Sequence, residues 1–222
     1  MRTLREVADG VFVATSELDL TTSTVLVSGD TALLIDPSWT PDELDGIADW
    51  LDARGLRVLG GFATHAHHDH VLWHPRFGDG PRWASRTTAA RADDQRTVLV
   101  AALGPEWPPE LAALVGRLTP TDADALDWPD RIELIRSDAH TPGHTALWLP
   151  STRVLIAGDL LSDVEPPLPE DSGPDEYVAG LLVLRPFVER AELVIPGHGR
   201  EGADGMLRWR RDLAEVTAMA GR

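Results

Sequence analysis

Thr64-His65-Ala66-His67-His68-Asp69-His70 is the stretch that decides the reading of this chain. Five side chains able to bind a metal fall within six positions, 65–70. Val58 to Thr64, just before, is an apolar run that reads as a short strand, so the cluster begins where a strand ends. His65 and His67 are two apart, and on extended chain both rings face the same side. Asp69 and His70 follow where the chain must turn. Burying imidazoles against a carboxylate is costly unless a charge orders them. A divalent ion with imidazole and carboxylate ligands at about 2.0–2.2 Å removes that cost.

Working outward, three more polar residues end apolar strands or sit in glycine turns. They are His144 in Thr141-Pro142-Gly143-His144-Thr145, Asp159 in Ala157-Gly158-Asp159, and His198 in Pro196-Gly197-His198-Gly199. Strand ends hold functional groups on a rigid frame. Glycine lets the backbone approach a metal or ligand closely.

Composition removes several alternatives. The 222 residues suit one medium domain, and no break resembles an interdomain linker, so a single domain over 1–222 is expected. There is no Cys, which excludes disulfides, thiolate catalysis and Cys-ligated clusters. All the basic residues are Arg, so Schiff-base chemistry and a lysine phosphate loop are excluded. The formal charge of −16 repels phosphate backbones, which argues against a nucleic-acid partner. The apolar runs fall short of the roughly 20 residues a membrane span needs. The N-terminal Met1-Arg2-Thr3-Leu4-Arg5-Glu6 has no apolar signal core, so a cytoplasmic protein with no membrane partner is expected.

Local patterns place the cluster in an α/β or α+β chain. Val11–Thr15, Thr24–Ser28 and Thr31–Ile35 read as strands, the last two joined by a Gly29-Asp30 hairpin turn. Thr40, Pro41 and Glu43 begin a helix whose apolar face is Leu44, Ile47, Ala48 and Leu51, with Gly55 at its end. Residues 86–118 are mostly helical in pattern, interrupted at 104–109. Ile132–Ile135 reads as a strand, and Thr145–Pro150 with Arg153–Ala157 as a strand pair. Residues 162–176 hold six acids and no base and read as an exposed loop. A helix over 177–188, its last turn disturbed by Pro186, precedes a strand at 193–195 and a C-terminal helix with Met206, Trp209, Leu213 and Val216 on one side.

The ordered set His-x-His-x-Asp-His, Gly-His, Gly-Asp, Gly-His resembles the signature of the metallo-β-lactamase superfamily, and all seven ligand positions match in order. The resemblance covers nearly the whole chain. It implies an αββα sandwich with the metals at one edge of two sheets. It also implies that His65, His67 and His144 hold one metal, that Asp69, His70 and His198 hold a second, and that Asp159 bridges them. Zinc is the default ion of such a site, and iron or manganese also suits it. A water bridging the two ions would then be the nucleophile, and Asp69 is placed to orient it and carry its proton as the catalytic residue.

Departures within the family narrow the activity. β-Lactamases of this fold have Cys, or no bridging carboxylate, where Asp159 stands, which argues against antibiotic hydrolysis. His67 replaces the Glu of the diiron flavoprotein branch. The nucleic-acid-processing branches need basic surfaces that this chain lacks. The expected function is therefore a dinuclear metal-dependent hydrolase of a small ester, lactone or thioester. The alternatives are a mononuclear-iron oxygenase acting on a persulfide and a non-catalytic metal-binding protein. The sequence is silent on the substrate and on oligomeric state. Among the remaining polar and aromatic residues, His68 is expected to point away from the metals. His140 is read as a supporting or structural histidine, and His74 either as an ordinary one or, from its closeness to the cluster, as a substrate contact. Asp36 reads either as a support behind the histidines or as a plain turn residue. Trp73, Trp107 and Tyr177 read either as pocket walls or as core.

Overall fold

The computed structural model describes residues 3–169 and 171–221. Met1 and Arg2 of the N-terminal stretch and Glu170 of the acidic segment lie outside them. The chain forms two compact units, Met1–Thr121 and Asp122–Arg222.

The first unit holds a seven-stranded sheet in sequence order. Its strands are β1 (Arg5–Ala8), β2 (Val11–Thr15), β3 (Thr22–Ser28), β4 (Thr31–Ile35), β5 (Arg57–Phe62), β6 (Arg82–Ser85) and β7 (Thr119–Thr121). The first four pair antiparallel, as short turns allow. Ser28 pairs directly with Thr31, so Gly29-Asp30 is a two-residue turn, with Gly29 at a φ of 56° that favours glycine. From β4 onward the pairs are parallel, and each crossover needs intervening chain.

The first crossover is α1 (Pro41–Asp52), and its start follows from its sequence. The Thr40 side chain accepts from the Glu43 amide while Glu43 reaches back to the Thr40 amide, a reciprocal capping box. Glu43 also accepts from the Ser16 hydroxyl at 2.8 Å and from the Glu17 amide at 3.1 Å, tying the loop after β2 to the helix. Leu44, Ile47, Ala48 and Leu51 pack into the same core as Val25 and Leu34. Burial alone would raise the Glu43 pKa, but the hydrogen bonds from Thr40, Ser16, Glu17 and Trp39 outweigh it and hold the carboxyl below its ordinary value. A depressed carboxyl contributes stability above its unfolded pKa, and that stability is lost as pH falls through the folded one. Glu43→Ala is therefore expected to lower unfolding stability by about 1–2 kcal/mol at pH 7 and by less near pH 3. Urea unfolding at both pH values checks this, and an equal loss at each would remove the ionised carboxylate from the explanation.

Residues 86–118 form α2 (Arg86–Asp94), α3 (Arg96–Ala102) and α4 (Pro109–Ala112), with the expected break between the last two. Arg96 donates to the carbonyls of Ala112, Ala113 and Val115 and closes the end of α4.

The second unit holds a five-stranded sheet of β8 (Ala125–Asp127), β9 (Arg131–Arg136), β10 (Thr145–Leu149), β11 (Val154–Gly158) and β12 (Leu193–Pro196). Its order is β12-β11-β10-β9-β8, antiparallel except for the parallel pair β11–β12. Between β11 and β12 runs α5 (Pro174–Val188), and α6 (Gly205–Ala220) ends the chain. The two helices pack on the sheet through Tyr177, Leu181, Leu184, Trp209 and Val216. The expected disturbance at Pro186 does not end α5, which continues to Val188. Pro186 and Leu182, whose carbonyl has no helical partner there, are both exposed, so the break in the ladder faces solvent rather than the core.

β1, β6, β7 and β8 were not anticipated. At three or four residues each they are too short for an alternation to register, and edge strand β7 carries Pro120. Among the described residues no helix is long and apolar enough to cross a membrane.

Candidate metal centre

His65, Asp159 and His198 lie just past the carboxyl ends of parallel strands, where open α/β sheets carry ligands, and His140 and His144 lie in the turn between the antiparallel β9 and β10. β5 runs into His65, β11 ends at Gly158 before Asp159, and β12 ends at Pro196 before His198. Each unit is described in turn.

In the first unit the organising residue is Asp36, at the end of β4, 3% exposed and held at a φ of 46°. One carboxylate oxygen accepts from the Thr64 amide at 2.8 Å. The other accepts from the Thr64 hydroxyl at 2.6 Å and lies 3.0 Å from Nδ1 of His70. A carboxylate only accepts, so His70 carries its proton on Nδ1 and its electron pair on Nε2. Because the Thr64 hydroxyl donates to Asp36, its oxygen accepts from Nδ1 of His65, 3.0 Å away. His65 therefore also presents an electron pair at Nε2. Asp36 thus sets the tautomer of two histidines at once, by the outer-ligand device common around metals. Of its two sequence readings, support behind the histidines is the one its contacts match.

The resulting donors face one another. Nε2 of His65 lies 3.1 Å from Nδ1 of His67, and Nε2 of His70 lies 3.2 Å from Oδ2 of Asp69. The His70 electron pair and the Asp69 carboxylate repel at that spacing unless a cation lies between them, and Nδ1 of His67 meets the His65 electron pair either across such a cation or by donating its own proton. Around a tetrahedral ion with bonds of about 2.0–2.1 Å, neighbouring donors are about 3.3–3.4 Å apart. The donor set therefore fits a divalent ion. Asp69 is further held by the Thr21 hydroxyl, 3.1 Å from Oδ2, and by the Ser38 hydroxyl, which donates to its backbone carbonyl at 2.8 Å. His68 stacks edge-on against Trp39, with Nδ1 at 3.7 Å from Oδ1 of Asp69. Thr21 and Ser38 could not be singled out from sequence, because a lone hydroxyl far along the chain carries no spacing signal.

In the second unit Asp159 is the hub. Its Oδ2 lies 3.3 Å from Nε2 of His198 and 3.3 Å from Nε2 of His140. A Cβ on Gly197 would collide with Oδ1 of Asp159, so the glycine is what gives the carboxylate its room. The Ser162 hydroxyl donates to the His198 carbonyl at 2.9 Å and joins the loops after β11 and β12. Leu161, at a φ of 62°, is pinned from α6: its amide donates to Asp212 and its carbonyl accepts from Arg208. Arg208 and Asp212 are buried, although a helix carrying such charges reads as solvent-facing. His144 is fully buried in the same turn as His140, their ring centres 6.4 Å apart.

Four residues whose roles were open prove to be structural. Tyr177 is 1% exposed inside the α5–α6 core, where burial and the Asp212 and Asp159 carboxylates push its phenol above the ordinary value. Trp73 is buried in the first unit's core and donates to the Gly78 carbonyl, and Trp107 packs against that core. His74 caps a short 3-10 turn by accepting from the Arg76 amide, and its other nitrogen lies 3.4 Å from Asp45.

The family model described as the metallo-beta-lactamase superfamily matches residues 17–198. The chain belongs to the metallo-β-lactamase superfamily. Solved structures share the fold. A metallo-β-lactamase from Pontibacter korlensis superposes with a TM-score of 0.74 at 17% identity, over 97% of this chain and 99% of that one. FIM-1 from Pseudomonas aeruginosa, in its mono-zinc form, gives 0.73 at 16% identity, over 98% and 96%. VMB-1 gives 0.74 at 18% identity, over 99% and 98%. The fold class read from the sequence is thus that of the family.

Proposed function

We propose that the chain is a hydrolase of a small ester, lactone or thioester, with His65, His67, Asp69, His70, His140, Asp159 and His198 together holding two divalent ions, zinc by default; His140 takes the place expected for His144, because its Nε2 lies 3.3 Å from Asp159 within the set of facing donors. The observation that carries this reading is the facing of buried and half-buried donors in each unit, at 3.2 Å for His70–Asp69 and 3.3 Å for Asp159–His198. Membership of a superfamily built largely of metal-dependent hydrolases supports it. Two ions so held supply Lewis acidity for a scissile carbonyl and acidify a water nucleophile. The chain's own part is to position and to move a proton. Asp69, whose Oδ2 accepts from the Thr21 hydroxyl and whose Oδ1 lies on the side of half-exposed His68, is the carboxylate that takes the proton and passes it to the leaving group. The substrate is a small molecule, since a net charge of −16 disfavours polyanions.

Asp159 stands where the bond class is decided. A carboxylate at this position, rather than a thiolate, would hold metal through oxygen, and we take it to favour esters, lactones and thioesters over the β-lactams named for the solved neighbours. A panel of chromogenic esters, lactones, thioesters and β-lactams, assayed on metal-replete protein, tests this. Turnover confined to β-lactams would overturn the substrate reading. Metal analysis goes with it: two zinc per chain supports hydrolysis, whereas one iron with oxygen consumption supports the oxygenase alternative. Asp69→Ala is expected to lower kcat on the responding substrate by about 10²–10⁴-fold or more. Undiminished turnover in that variant would remove Asp69 from the chemistry.

A further inference from the structure

α5 is apolar on two opposite faces, and the second unit covers one of them. Tyr177, Leu181, Leu184 and Val188 pack into that unit's core. Ala179, Leu182, Val183 and Pro186 recur at i, i+3, i+4 and i+7 on the other side and are all exposed, Leu182 at 52% and Val183 at 49%. Between Tyr177 and Val188 the one charged residue is Arg185, which sits over the Trp209 ring and pairs with Glu189. A helix that is apolar all round is normally buried all round.

The charges at the two ends of the stripe indicate what covers it. Asp175 stands seven positions before Leu182 and Arg190 seven after Val183, two helical turns each way, so both lie in line with the stripe. The helical path extends to Arg190, since the Glu189 and Ala191 amides donate to the carbonyls of Arg185 and Phe187 at 3.0 and 2.9 Å. Both residues are exposed, and among the described residues neither has an ion-pair partner. Arg190 instead lies over the Trp148 and Phe187 rings, at 5.0 and 5.1 Å. The stripe is also symmetric about its middle, with Ala179 three positions before Leu182 and Pro186 three after Val183. Turned end for end, it is complementary to itself in charge. Copies of a chain with a net charge of −16 repel one another in most orientations, and this orientation sets opposite charges face to face.

We propose that this face of α5 binds α5 of a second copy, antiparallel, about a two-fold axis between Leu182 and Val183. The contact is isologous: Asp175 of each copy meets Arg190 of the other, and the Leu182 and Val183 side chains of both close the centre. A single helix pair of this length is a small interface, so the dimer is reversible. It needs no metal.

Sedimentation velocity of the full chain from roughly 1 to 100 µM reads the equilibrium. The expected result is a concentration-dependent shift from 24.2 kDa towards twice that mass. Leu182→Arg is expected to weaken the dimer about 10–100-fold. That change lowers the net negative charge, so general repulsion cannot explain the loss. Asp175→Arg and Arg190→Asp each bring like charges together and weaken the dimer about 3–10-fold, whereas the two combined return it close to the parental affinity. Far-UV circular dichroism confirms that each variant is folded. A chain that stays monomeric over the whole range overturns the proposal, as does a dimer that Leu182→Arg leaves intact. A combined charge variant that binds no tighter than either single one overturns the antiparallel pairing.

Discussion

Asp36→Asn is expected to cost the fold about 2–4 kcal/mol and to weaken metal uptake about 10–100-fold. Asp36 is buried and receives three bonds, from the Thr64 amide, the Thr64 hydroxyl and His70. Asn preserves the shape and accepts the φ of 46°, so the change isolates the loss of one acceptor oxygen. An amide nitrogen at the Oδ2 position donates, and both of its former donors must respond. The Thr64 hydroxyl loses the acceptor of its proton at residue 36, and the acceptor within reach is Nδ1 of His65, which must then give up its own proton to Nε2. His70 must place its electron pair on Nδ1 and its proton on Nε2. Both imidazoles then present the wrong atom to a metal, although neither has been mutated. Urea unfolding measures the first effect and chelator competition the second. Parental metal affinity in a folded Asp36→Asn protein would show that the tautomers are set elsewhere.

Gly197→Ala is expected to lower metal affinity by about 10–100-fold and the Tm by several degrees. The added Cβ meets Oδ1 of Asp159 and lies 3.0 Å from the Gly158 carbonyl carbon. The backbone has little freedom to retreat, because the Gly197 amide donates to the Gly158 carbonyl at 2.6 Å. Overpacking of this kind costs about 1–3 kcal/mol, and for a chain of this length each kcal/mol is worth about 2–4 °C. The carboxylate is the mobile partner, so it moves, and the donor pairs it makes with His198 and His140 are broken. Differential scanning calorimetry with and without zinc checks both parts. The zinc-dependent rise in Tm should shrink in the variant, and an undiminished rise would mean that Asp159 is not positioned by this glycine.

Some of this was legible from residues alone. Thr40-Pro41-Asp42-Glu43 specifies its helix start because the capping bonds lie within four residues. The Gly29-Asp30 turn is equally local, since its two positions must satisfy the backbone geometry of a tight hairpin. The His65–His70 cluster was legible because five donors in six positions have no cheap buried state without a cation. Strands β6, β7 and β8 were hidden because a strand of three or four residues is defined by its partner, not by its own pattern. Tyr177, Trp73 and His74 were ambiguous for the same reason: an aromatic ring fits a core and a pocket wall equally well until its neighbours are known.

Sequence order by itself determined the kind of chemistry, since donor identity and short spacing are properties of the chain. Which nitrogen of each histidine bears the proton was decided only in three dimensions. Asp36 reaches His70 across 34 positions, and Leu168 reaches His140 across 28, so neither contact leaves a mark on local sequence. A hydrogen bond is specified by where two atoms meet, and for residues so far apart only the folded backbone brings them together.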